Sequence, residues 1–184
     1  MRELTLHLLD LAANSISALS QNISIEVVED TISDRLCMSV KDDGKGMDAE
    51  MVSKVVDPFV TTRTTRKVGL GIPLLKAAAE ACNGSFKIES EPGAGTFVKA
   101  EFQRSHIDRM PLGDLAATFL TLLIGTPDVH WTFRYKVNER EFLFDDRPVK
   151  KELGDIPLSE PLVINFLRVY LSDGINSIRP QDYM

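Results

Sequence analysis

Asp42-Asp43-Gly44-Lys45-Gly46-Met47 and Gly69-Leu70-Gly71-Ile72-Pro73 are the two stretches whose reading decides the fold. The first closes an alternating apolar run, Leu36 to Val40, so it lies where a strand gives way to a turn. A carboxylate followed by two glycines lets backbone come close to a flat ligand. At such a turn it can accept a hydrogen bond from the exocyclic amine of adenine. Guanine presents an acceptor there, and leaving the carboxylate unpaired would cost about 1–3 kcal/mol. The second stretch opens a helical pattern from Leu70 to Ala81, with Pro73 in the first turn, where a missing N–H costs little. The free N–H groups and positive dipole end of such a helix favour phosphate. Each stretch alone is also what an ordinary Asp/Gly turn would give. No lysine-bearing phosphate loop or dinucleotide fingerprint accompanies them.

Upstream, apolar residues recur at helical spacing from about Leu4 to Leu19, followed by alternating runs at Ile23 to Val28 and Leu36 to Val40: helix, strand, strand. On a wheel at about 100° per residue, Glu3, His7, Asp10, Asn14, Ser17 and Gln21 fall within an arc of roughly 80°, opposite Leu4, Leu8, Leu11, Ala12, Ile16 and Leu19. A solvated helix face would carry the same seam. Asp10 and Asn14 stand one turn apart, and a carboxylate that can hold water beside an amide oxygen that can ligate Mg²⁺ suits phosphoanhydride chemistry.

Downstream, a short helix is expected from Asp48, its cap. Asn83-Gly84 ends the next helix, and Ser85 to Ser90 and Thr96 to Phe102 alternate as paired strands around Pro92-Gly93-Ala94-Gly95. The composition changes near Gln103. Pro111 to Ile124 predicts a helix, Val129 to Val137 and Glu141 to Phe144 a hairpin turning at Asn138, and Ser159 to Ser172 a final helix capped by Ser159. The alternation of Val129, Trp131, Phe133, Tyr135 and Val137 reads as core. The division is a nucleotide-binding core, 1–104, and an α/β extension of helix, hairpin and helix, 105–184.

The 184 residues can bury a core unaided, and the net charge of −6 argues against a nucleic-acid partner. Cys37 and Cys82 lie apart inside apolar patterns, without metal-ligand spacing, and read as structural thiols. The most apolar stretch, Leu112 to Ile124, is too short and too interrupted to span a membrane, and no signal peptide is evident, so a cytoplasmic protein is expected.

Taken in order, Asp10-x-x-x-Asn14, Asp42-x-Gly44-x-Gly46, Asp57-Pro58-Phe59, Gly69-x-Gly71-Ile72 and Gly93-x-Gly95-Thr96 resemble the successive boxes of the GHKL (histidine kinase-like) ATPase superfamily over about residues 4 to 102. The run from Gly69 to Gly84 and Ile88 to Thr96 is similar to a histidine-kinase catalytic domain. The resemblance implies a Bergerat-type α/β (α+β) fold, a two-layer sandwich whose mixed sheet is covered by helices on one face. It implies ATP and Mg²⁺ as ligands, with Asn14 holding the metal, Asp42 reading adenine, and Gly44 and Gly46 making room for the base. Met47 and Thr96 join that site. Residues Phe59 to Lys67 would form a lid in which Thr61, Thr62, Arg63, Arg66 and Lys67 meet the phosphates, with Gly69, Leu70 and Gly71 wrapping them. It further implies a protein partner and a kinase-like activity; an anti-sigma-type serine kinase or a binding module without turnover are the alternatives.

The sequence departs from the pattern in three places. ATP-hydrolysing members carry Glu where Asp10 stands, one methylene longer. A misplacement of about 1 Å costs on the order of 100-fold, so slow intrinsic hydrolysis is expected. His7 shares the Asp10 face and is either a partner in polarising an incoming hydroxyl or a histidine packed at the helix edge. Ser105-His106-Ile107-Asp108-Arg109-Met110-Pro111-Leu112 resembles a phosphoacceptor box displaced behind the ATP domain, with His106 the candidate and a linker role the alternative.

Overall fold

The computed structural model describes residues 3–57 and 70–179. Helix α1 (Leu4–Ser17) is followed by strands β1 (Asn22–Asp30) and β2 (Arg35–Asp42), helices α2 (Ala49–Val56) and α3 (Gly71–Ala81), and strands β3 (Ser85–Glu91) and β4 (Gly95–Gln103). The second half adds helix α4 (Leu115–Gly125), strands β5 (His130–Val137) and β6 (Arg140–Asp145), and helices α5 (Asp146–Leu153) and α6 (Pro161–Ile178). Every alternating run of the sequence is a strand, because period-two apolar patterning gives each one an inner face and a wetter outer face. In β1 the side chains of Ile23, Ile25 and Val27 are buried, whereas Ser24 between them is exposed.

The strands lie in the order β3-β4-β2-β1-β5-β6, with β1 and β5 parallel and every other pair antiparallel. Leu4, Leu8 and Leu11 of α1, Leu75 of α3 and Phe119 of α4 form one apolar cluster with the inward residues of the sheet. This is the expected α/β two-layer sandwich. Strands from both sides of the expected boundary at 104 share its sheet. Trp131, Phe133 and Tyr135 of β5 are fully buried, and Phe119 stacks on Phe133 with ring centroids 4.6 Å apart while meeting Trp131 edge-on at 6.2 Å.

Four local expectations are revised. Helix α4 begins at Leu115 rather than Pro111, because the Pro111 and Leu112 carbonyls accept from the Leu4 and Thr5 N–H groups at 2.9 and 3.0 Å, satisfying the orphan start of α1. Gly113 then turns with φ +91°, and Asp114 caps α4 by accepting from Ala117 N–H at 2.9 Å. Helix α5 was not foreseen: its sequence is mostly polar, and its start is set by Asp145, which accepts from the Arg147 N–H at 2.9 Å. Helix α6 starts at Pro161 without a side-chain cap from Ser159. It also runs past Ser172 to Ile178, because Ile175 and Ile178 continue the buried stripe of Val163, Leu167 and Leu171, and Gly174 leaves the room that the Phe142 ring fills. The segment around His106 is a turn.

One polar brace lies inside the apolar layer. Glu29 of β1 is fully buried and accepts from the Tyr135 hydroxyl at 2.6 Å and from Arg104 Nε at 2.9 Å, joining β1, β5 and the segment that leaves β4. Removing one member of such a pair leaves an uncompensated charge. Arg104→Ala is expected to cost about 3–5 kcal/mol and Tyr135→Phe about 1–3 kcal/mol, read by urea denaturation.

Candidate functional site

Asp42 ends β2 and is buried. Its Oδ2 accepts from the Ser15 hydroxyl at 2.5 Å, and its Oδ1 accepts from the Gly44 N–H at 2.9 Å and the Thr96 N–H at 3.3 Å. These donors come from α1, from the loop after β2 and from β4, so one carboxylate ties together three segments far apart in sequence. An ionised carboxylate offers about four acceptor positions, and three are taken by protein. Beside it, Asp43 is fixed in turn: Oδ1 accepts from the Gln21 and Asn22 N–H groups at 2.8 and 2.9 Å and Oδ2 from Asn22 Nδ2 at 2.6 Å. Burial pushes the Asp43 carboxyl up, but the Asn22 side chain and these backbone amides outweigh it and leave it below the usual carboxylate value.

The two glycine clusters of this end interlock. Gly46 has φ +63°, and a Cβ there would stand 1.9 Å from the Glu91 carbonyl oxygen; Gly95 has φ +103°, and a Cβ there would stand 2.0 Å from the Asp42 carbonyl oxygen. A Cβ on Gly44 would meet Ser20 and Ala18. The space these glycines leave is thus filled by the protein's own chain, a different demand from the room for a base that the resemblance implied. The Gly93 N–H donates to Lys45 O at 2.8 Å, and the Met47 N–H donates to Ser90 Oγ at 2.8 Å, which also lies 2.9 Å from Thr96 Oγ1.

On the flank of α1, Asp10 and Asn14 are exposed, and the Asn14 side chain has no hydrogen-bond partner among the described residues. An exposed amide oxygen there could hold a hard cation such as Mg²⁺. Gly71, where α3 begins, sits against Asp10: a Cβ there would be 3.1 Å from Asp10 Oδ2. Helix α3 has Leu70 before it and no side-chain cap among the described residues, and the Gly71 and Ile72 N–H groups of its first turn could receive an anion. Asp10, Asn14, Asp42, Gly44, Gly46, Met47, Leu70, Gly71 and Thr96 therefore gather at one end of the sheet. The expected phosphate and lid residues Phe59, Thr61, Thr62, Arg63, Arg66, Lys67 and Gly69 lie outside the described residues.

Two residues stand elsewhere. His106 follows the far end of β4; the seven residue steps from Thr96 to Gln103, at about 3.3 Å each, put it more than ~20 Å from Asp42. Its Nδ1 accepts from the Asp108 N–H at 3.2 Å, which closes a turn. His7 is buried, and neither ring nitrogen has a partner among the described residues. Burial pushes its imidazole below the ordinary value, and the Asp10 carboxylate restores only part of this.

Sequence reasoning missed Ser15 and Asp43. Ser15 gave a usable signal: it is a hydroxyl on the apolar arc of α1, where only a buried acceptor would justify it. Another cluster, His130, Asp145 and Asp146, places three ligand-type atoms within 4.8 Å. Asp146 there already accepts from the Trp131 N–H at 3.0 Å and Lys150 Nζ at 2.7 Å, and contacts His130 Nδ1 at 2.6 Å, so protein donors hold it.

Residues 1–106 match the family model described as histidine kinase-, DNA gyrase B-, and HSP90-like ATPase. The chain belongs to this family. Among curated relatives, the signal transduction histidine-protein kinase AtoS of Escherichia coli is 33% identical over 89 residues, 48% of this chain and 14% of that protein. Sporulation kinase C of Bacillus subtilis is 30% identical over 88 residues, 48% of this chain and 20% of its own length. The matched segment thus spans a fifth or less of these kinases. The ATPase domain of Aquifex aeolicus MutL, complexed with ADP, has the same fold at a TM-score of 0.50 and 18% identity, covering 83% of this GHKL chain and 68% of that one. That coverage exceeds the family match, so the likeness of fold continues into the second half. Among the described residues no helix is long and apolar enough to cross a membrane.

His7 yields a pH prediction. The unfolded imidazole titrates near 6.5 and the folded one lower, so stability is full above that pH and is lost as pH falls below it towards the folded value. His7→Leu is expected to lose less stability than the wild type between about pH 7.5 and 5.5, measured by urea denaturation at each pH.

Proposed function

We propose that this chain is a histidine-kinase-like regulatory protein that binds ATP with Mg²⁺ and transfers the γ-phosphoryl group to a separate protein. The observation that carries this reading is the held carboxylate of Asp42, with one acceptor position left over, at the same sheet end as Asp10, Asn14 and the uncapped start of α3. In this reading Asp42 accepts from the exocyclic amine of adenine, with Thr96 beside it. The first N–H groups of α3 receive phosphate oxygens, and the Asn14 amide oxygen holds the cation against them. Asp10 orients the acceptor and takes its proton as the bond from the γ-phosphorus to the bridging oxygen breaks and the bond to the acceptor forms.

The placement of His106 favours an acceptor on another molecule, since more than ~20 Å of strand separates it from the pocket of its own chain. The kinase names of the curated relatives support a signalling role.

Calorimetry with Mg²⁺ and adenine nucleotides tests the pocket: saturable heat is expected, absent in Asp42→Asn and weakened about tenfold in Ser15→Ala, which loses the donor to Oδ2. Unchanged affinity in Asp42→Asn would falsify the adenine assignment. Asp10→Asn is expected to keep binding and lose turnover. With γ-labelled ATP, label on an added partner supports transfer in trans, label on His106 overturns the acceptor assignment, and binding without label or phosphate release reduces the chain to a nucleotide-binding module.

A further inference from the structure

Helix α6 is apolar on two opposite faces. Its inner stripe, Val163, Leu167, Leu171 and Ile175, is buried in the common core. Its outer face carries Leu162, Phe166 and Val169, which are 80%, 59% and 51% exposed, with Tyr170 at 46% on the flank and stacked on Phe166 at 6.1 Å. Single exposed apolar residues need no explanation. These are not scattered: Leu162, Phe166, Val169, Asp173 and Asn176 follow steps of four, three, four and three, the spacing of a seam between paired helices. A helix that is apolar on both sides over more than two turns is ordinarily covered on both.

We propose that a second copy of this chain covers the outer face of α6, the two α6 helices packing antiparallel about a two-fold axis that passes between Leu167 and Arg168. In that register Phe166 of one copy meets Val169 of the other, twice, and Leu162 meets Asp173. The Asp173 carboxylate then lies beside the first turn of the opposing α6. The N-cap residue of that turn, Glu160, makes no side-chain cap bond, and the helix dipole favours negative charge there. A parallel arrangement would set Asp173 against Asp173. Each of the four apolar side chains offers on the order of 100 Å². Complete cover of all four in both copies would remove up to about 800 Å² of apolar surface, and the polar rim supplies the rest of the about 1,000 Å² that a specific interface needs. The proposal stands apart from the nucleotide reading, because none of these residues belongs to that site.

Light scattering coupled to size exclusion, on the whole chain between about 1 and 100 μM, is expected to show a mass rising to twice the 20.5 kDa of one chain. Phe166→Glu and Leu162→Glu are each expected to weaken the dimer at least about tenfold while leaving the circular dichroism spectrum unchanged. Leu162, the more exposed of the two, decides the matter if the Phe166 variant folds poorly. Asp173→Asn is expected to weaken association, since it removes the charge that caps the opposing helix. A single-chain mass throughout overturns the proposal, as does a dimer untouched by both glutamate variants. Tighter association of Asp173→Asn overturns the antiparallel register.

Discussion

The Asp42 carboxylate stands at the end of a strand, in a place water barely reaches, and its three protein donors come from three parts of the chain. Burying a charge this way is tolerable only if its lone pairs are met. That requirement fixes the last turn of α1, where Ser15 must point inward. It fixes the loop after β2, where the Gly44 N–H must turn back, and the start of β4, where the Thr96 N–H must face β2. The interlocked glycines follow from it. With Gly95 pressed on the Asp42 carbonyl and Gly46 on the Glu91 carbonyl, neither turn has room for a side chain. The geometry at this end is therefore set by backbone packing.

The second half of the chain belongs to the same physical unit as the first. Strand β5 runs parallel to β1, so β1 sits inside the sheet with both edges paired. The carbonyls of Pro111 and Leu112 cap the helix that carries Asp10 and Asn14. At the opposite end of the sheet, Glu29, Arg104 and Tyr135 bind the two halves through a buried charge. A ligand held at the start of α3 would bear on Asp10 and hence on α1, and α1 is held by residues that lead directly into α4.

Much of this was legible in the sequence because period and punctuation are local. The strands, the Asp48 cap, the Asn138 turn and the order of the glycine clusters all follow from residues within a few positions of one another. What escaped was set at a distance. The start of α4 is displaced because Pro111 and Leu112 serve α1, over a hundred residues away. The length of α6 depends on the Phe142 ring finding Gly174. The parallel pairing of β1 with β5 has no local signature at all. For the site, residue types and order placed Asp42, Asn14 and Gly71 together, but the role of Gly44 and Gly46 in packing against the chain itself could only be seen once the turns were in space.

The position of His106 constrains how any phosphoryl group could move. The sheet is a stiff spacer: β4 is paired on both sides along its length, with β2 and with β3, so its two ends cannot approach each other without breaking both ladders. The turn beyond β4 is held just as firmly, Asp34 accepting from the Ser105 N–H at 2.9 Å and from its hydroxyl at 2.6 Å, and Arg109 Nε donating to the Arg104 carbonyl. Swinging His106 to its own pocket would give up these bonds and the Glu29 brace, a cost of many kcal/mol against the net ~1 kcal/mol per neutral bond and more for the buried charge. An acceptor delivered by another molecule gives up none of them. The two-fold contact inferred for α6 does not alter this accounting, since it engages a helix face remote in sequence from both the pocket and the His106 turn.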